Sequence, residues 1–115
     1  MTVRLRRADP AAVVEALAAE RGPVQQRLLT KHFLAVLTER APGASVEVRV
    51  PPYAAAQVIP GVRHTRGTPP AVVELDADTW IDLATGDLGW AEAERTGRVR
   101  ASGERADLSP HLPLQ

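Results

Sequence analysis

A chain of 115 residues, with 14 basic and 14 acidic side chains and no cysteine, is one domain by length and can withdraw roughly 65% of its unfolded surface from water. Zero net charge and an aromatic content of 3% argue against nucleic acid, which is held by excess positive charge and stacking rings. Without cysteine there is no disulfide, thiolate nucleophile or cysteine-based zinc site, and a cytoplasmic home is expected.

The basic start Met1–Arg7 runs into Asp9-Pro10 and then into a segment punctuated by Glu15 and Glu20, so it does not read as a signal peptide. No apolar run is long enough to cross a bilayer, and stable membrane insertion is not expected. Asp9 is placed to cap a helix whose first residue is Pro10, with Gly22 as its expected end. Pro23 opens a second helix to about Arg40, with Leu28, Leu29, Phe33, Val36 and Leu37 forming a broad apolar stripe. Ala41-Pro42-Gly43 ends it, so residues 1–43 form a helical N-terminal part.

Residues 46–115 are expected to supply a sheet with covering helices. Val46, Val48 and Val50 alternate with Glu47 and Arg49, the pattern of a half-buried strand. Pro51-Pro52 confines the next junction to an edge, turn or bulge, and Tyr53 to Ile59 follows as a second strand. After a polar insert, Ala71 to Leu75 forms a third strand, with Val73 and Leu75 on one face and Val72 and Glu74 on the other. Asp76 caps a helix carrying Trp80, Ile81 and Leu83 that stops at Gly86. Trp90 to Thr96 is a short helix ended by Gly97, Arg98 to Ala101 a last strand, and a proline-punctuated tail follows. Helices, then a meander, then helices and a returning strand predict an α+β domain with helices on one face of a sheet.

Catalytic chemistry finds little footing. His32, His64 and His111 lack the i, i+4 spacing of a helical metal site. Ser102 has no Gly-x-Ser-x-Gly elbow, so its co-occurrence with Asp107 and His111 does not make a triad. Asp76, Asp78, Asp82 and Asp87 lack the spacing of a calcium loop, and Asp76 and Asp78 suit a helix N-terminus. No catalytic residue, metal or cofactor is assigned. The insert Arg63-His64-Thr65-Arg66-Gly67-Thr68, closed by Pro69-Pro70, brings cations and hydroxyls onto one loop. Arg63, His64, Arg66 and Thr68 are therefore candidate contacts for an anionic or polar head, the alternative being a structural turn. Trp80 is either core filling or a wall against a ligand.

Val48-Arg49-Val50-Pro51-Pro52-Tyr53, His64 to Pro70 with Val73-Glu74 after it, Thr79-Trp80 with Gly86, and Gly97 to Ser109 together resemble the small bacterial sterol carrier family proteins, found mainly in actinobacteria. The resemblance covers most of the chain from Val46 onward. It implies a single sterol-carrier-like α+β domain over 1–115, a curved, mainly antiparallel sheet with helices packed on one face. It also implies a cavity for a lipid, sterol or fatty acyl group. The sequence departs from the larger eukaryotic carriers in being short, poor in phenylalanine and ending Leu-Pro-Leu-Gln, without a peroxisomal address. The same domain type resembles the C-terminal part of mycothiol-dependent maleylpyruvate isomerases. There the metal chemistry belongs to a separate helical domain, and no isomerase activity is implied here. Two functions remain open: a non-catalytic carrier of an apolar or amphipathic molecule, or an interaction or homodimerisation module with a closed cavity.

Overall fold

The computed structural model of the protein describes residues 4–61, 71–103 and 106–115. Within them the order is α1 (Pro10–Ala18), α2 (Pro23–Arg40), β1 (Val46–Val50), β2 (Ala54–Val58), β3 (Ala71–Leu75), α3 (Ala77–Thr85), α4 (Trp90–Arg95) and β4 (Val99–Ser102), then a 3-10 turn at Ser109–His111. The domain is α+β, as expected.

The start signals act as their chemistry dictates. The Asp9 carboxylate accepts from the Ala12 N–H at 3.3 Å and Asp76 from the Thr79 N–H at 2.8 Å, each taking one of the amide donors that a helix start leaves free. Gly86 ends α3 at φ 89°, the left-handed geometry that glycine adopts without strain. Gly22 does not end α1. The helix stops at Ala18 with Ala19 extended, and Gly22 is itself extended (φ −103°, ψ −173°) as the N-cap of α2. Its N–H is taken by the Gln25 side chain at 3.0 Å. Between the two helices Arg21 reaches across to Asp78 and Asp82 of α3, at 3.4 and 3.0 Å. That reach ties the link between α1 and α2 to α3.

The sheet runs β2-β1-β3-β4, with β1 antiparallel to β2, parallel to β3, and β3 antiparallel to β4. The expected meander is thus corrected: β3 pairs with β1 rather than β2, which makes β1 central and the sheet mixed. Val46 faces both Val58 and Ala71, so the end of β2 and the start of β3 flank the start of β1. A parallel pair needs a crossover, whereas a short turn permits only an antiparallel one. The seam there is Ser45. Its N–H and hydroxyl donate to the Ile59 carbonyl at 3.2 and 2.7 Å, and its own carbonyl accepts from the Ala71 N–H at 3.2 Å. Ile59 has φ 71°, uncommon for a β-branched residue, and its N–H is donated to Ala41 O at 2.6 Å.

One sheet face is apolar, as the alternation predicts. Val46, Val48, Val50 and Val73 are fully buried, joined in one cluster by Leu29, Phe33, Leu34 and Leu37 of α2 and by Trp80, Ile81 and Leu83 of α3. The opposite face carries Glu47, Arg49 and Glu74, half-buried or exposed, with Glu47 and Arg49 ion-paired. The tail packs back on the domain: Leu108 and Leu114 are buried, and the Leu114 N–H donates to Ala84 O at 2.8 Å. It thereby satisfies one of the carbonyls that α3 leaves open at its C-terminus.

Candidate functional site

The sequence candidates Arg63, His64, Arg66 and Thr68 lie outside the described residues. Trp80 is described and fully buried, within the cluster that joins α2 and α3 to the sheet. Its indole N–H donates to the Thr30 carbonyl of α2 at 3.3 Å, the single partner that a buried tryptophan needs. The other tryptophan, Trp90, is also buried, but its indole N–H has no hydrogen-bond partner among the described residues.

A groove of about 680 Å³ opens elsewhere, beside the edge strand β2. Ala35, Thr38 and Glu39 of α2 form one wall and Pro42 one end. Ala55, Ala56 and Gln57 of β2 with Glu47 of β1 form the second wall. Arg4 and Leu5 of the N-terminal arm close the third side. The volume falls within the range of about 300–1,000 Å³ usual for small-molecule sites. Trp80 is not among these lining residues.

The local sequence accounts for the groove. On the helix-facing side of edge strand β2, beside Val50 and Val48, stand only the methyl groups of Ala54 and Ala56, while Ala55 and Gln57 share the outer face with Arg49 and Glu47, so the groove wraps around the β2 edge. Ala35 is buried on α2, and Ala56 is half-buried. The polar groups are mostly committed. The Thr38 hydroxyl donates to Leu34 O at 2.8 Å. Glu39 is paired with Arg7, and Glu47 with Arg49. Arg4 has no ion-pair partner among the described residues and is exposed. The groove therefore presents small apolar walls, two neutralised carboxylates and one guanidinium without an ion-pair partner among the described residues, a combination suited to an amphipathic anion.

The arm that carries Arg4 is tied to α2 at two points. Arg7 pairs with Glu39, and the Ala8 N–H donates to His32 Nδ1 at 3.0 Å. His32 packs edge-on to Phe33, with ring centroids 5.0 Å apart. Its pKa lies below the ordinary value of 6.5, through burial first and then the nearby Arg7 charge, with Glu39 acting in the opposite sense. Nothing in the local sequence marked this link: an Ala8 amide on an irregular segment carries no periodicity, and His32 sits within an otherwise apolar helical pattern.

No cluster of three or more metal-ligating side chains occurs among the described residues, and no described helix is long and apolar enough to cross a membrane. No curated protein matches the chain. A family model described as "Bacterial SCP ortholog" matches residues 20–114, from just before α2 to the tail packed on α3. With that match over an α+β domain of helices on one face of a four-stranded sheet, the chain belongs to the bacterial SCP ortholog family.

Proposed function

We propose that this protein is a cytoplasmic, non-catalytic binding module for an amphipathic small molecule with an acyl or similarly apolar body and an anionic head. The groove between α2, β2 and the N-terminal arm carries the proposal, because it joins alanine walls to Arg4. Burial of an acyl chain supplies affinity at about 0.8 kcal/mol per methylene, and a guanidinium meets a carboxylate or phosphate with paired donors. Arg63, His64, Arg66 and Thr68 are proposed as further head-group contacts. The chain leaves the sheet after Ile59, whose N–H is held by Ala41 beside Pro42 of the groove, and re-enters at Ala71. Membership of the SCP ortholog family supports the same class of ligand.

Native mass spectrometry of gently purified protein, followed by titration with a fluorescent long-chain fatty acid, tests the proposal. Ala55 is exposed on β2, so Ala55→Trp should fold and obstruct the groove, while Arg4→Glu should weaken the anionic probe about tenfold, or ~1.4 kcal/mol. The proposal fails if no lipid co-purifies and neither fatty acids nor acyl-CoA bind. Unchanged affinity in Ala55→Trp would place any binding elsewhere.

A second function draws on a specific observation. Edge strand β2, Ala54–Val58, carries no charged side chain, although edges that resist pairing usually do. An interaction or homodimer module would use that edge, and sedimentation at increasing concentration distinguishes it: a mass that stays monomeric removes the dimer.

A further inference from the structure

The N-terminal arm has a fastening whose chemistry depends on one proton. A neutral imidazole with its hydrogen on Nε2 offers the Nδ1 lone pair as an acceptor, and the Ala8 N–H occupies that lone pair at 3.0 Å. A proton on Nδ1 would convert the acceptor to a donor and set two N–H groups against each other. The charged groups set against His32 are Arg7 on the arm and Glu39 on α2. Protonation also adds repulsion between the imidazolium and Arg7, the residue that makes the arm's other contact. Both consequences push the arm away from α2. Glu39 cannot offset both, because its carboxylate already serves Arg7.

We propose that His32 is an acid-sensitive latch on the segment Arg4–Ala8: neutral, it holds this segment as the third wall of the groove, and protonated, it lets the segment go. Leu5 and Arg4 leave with the arm, removing an apolar wall and the cation together. The consequence for a bound amphiphile, faster release in acid, rests on the functional reading above. The latch itself is independent of any ligand. Burial and Arg7 favour the neutral ring, so the arm is fastened at neutral pH and loosens as pH falls from about 6.5 through the depressed His32 midpoint. The ratio of released to fastened arm rises as pH falls from about 6.5, the ordinary histidine value, through the depressed midpoint of the fastened state, and levels off below it.

Two measurements on the 115-residue chain decide the point. The His32 ring signal is titrated by NMR, and the exchange protection of the Ala8 amide is followed from pH 7.5 to 5 after correction for intrinsic rates. Ala8 protection should fall as His32 takes up its proton and level off below the His32 midpoint, while the amide of Val48 in the central strand stays protected. In His32→Asn the side-chain oxygen stands close to the position of Nδ1 and does not titrate, so Ala8 protection should be flat with pH. A titrating His32 with unchanged Ala8 protection would overturn the proposal, as would an equal fall in His32→Asn. Release of the fatty acid probe is the separate readout. Failure of the probe to bind at any pH refutes the carrier function and leaves the latch to be judged on Ala8 alone. Binding whose off-rate ignores the His32 midpoint refutes the arm as a wall.

Discussion

Gly43→Ala is expected to be among the most damaging single-methyl additions available in this chain. Gly43 sits at φ 152°, and a Cβ built there would lie 2.2 Å from Ile59 O, 2.4 Å from Ile59 C and 2.6 Å from Pro60 N. Ordinary carbon–oxygen contacts settle near ~3.3–3.6 Å, so the backbone must open by roughly 1 Å. The obstructing atoms are main chain and have no rotamer to change. They also belong to the clamp in which Ile59 O accepts from the Ser45 N–H and hydroxyl while Ile59 N–H donates to Ala41 O. The unfavourable backbone angle costs about 1–3 kcal/mol, and one or two weakened hydrogen bonds add ~0.5–1.5 kcal/mol each. The expected loss is ~3 kcal/mol, a large part of the stability of an ordinary domain. In urea the midpoint should fall by roughly 2 M at an unchanged slope of about 1.5 kcal/mol/M, and Tm by ~10–15 °C. Gly89→Ala is the control, since nothing lies within 4 Å of its added Cβ and φ is −84°. A Gly43→Ala protein within ~0.5 kcal/mol of wild type, or a Gly89→Ala protein equally damaged, would refute the reasoning.

The tryptophans separate a satisfied indole from an unsatisfied one. Trp80→Phe removes a donor bound to Thr30 O in the centre of the core and should cost ~2 kcal/mol, whereas Trp90→Phe removes a buried N–H without a partner and should cost under ~1 kcal/mol; equal losses in chemical denaturation would contradict this. His32 has a depressed pKa in the folded state. Its contribution to stability is therefore fully present above about pH 6.5 and is lost as pH falls through the folded value. A pH series of urea midpoints should show that loss in wild type and its absence in His32→Asn. Asp82 accepts a hydrogen bond from Arg21 at 3.0 Å and is ion-paired with Arg98 at 3.5 Å. With side chains a quarter to two-fifths exposed, Asp82→Asn should cost no more than ~1 kcal/mol, and the difference should shrink in 1 M salt. A larger, salt-insensitive loss would mean that Asp82 serves packing instead.

The elements were legible wherever periodicity and capping agreed. Val46, Val48 and Val50 alternate because one face of β1 is fully buried, and Asp9, Asp76 and Gly86 act at helix ends because their side chains, or the lack of one, suit those backbone geometries. The two misplacements have different sources. Gly22 is compatible with either side of a helix boundary, and it serves as the start of α2, where Pro23 follows and the Gln25 side chain takes its N–H, while Arg21 pairs with residues more than fifty positions away. The pairing of β3 with β1 was invisible, since strand order follows from which faces must be covered and not from local pattern. The groove was hidden for the same reason. Its walls come from the arm, α2 and β2, and its small apolar residues, Ala35, Ala55 and Ala56, lie on two elements that local pattern does not bring together. The insert at 63–68 stood out because cations and hydroxyls crowd together there. The Ala8–His32 link did not, because a backbone amide looks the same at every position.

Ser45 has a consequence beyond holding the crossover closed. By binding Ile59 on one side and Ala71 on the other, it fixes both feet of the connection between β2 and β3 independently of what lies between them. Strand register is then decided below the insert. Changes in the insert's length or composition need not be transmitted into the sheet, so that junction is where this scaffold can accept new recognition chemistry, by natural variation or by grafting, at least cost to its fold.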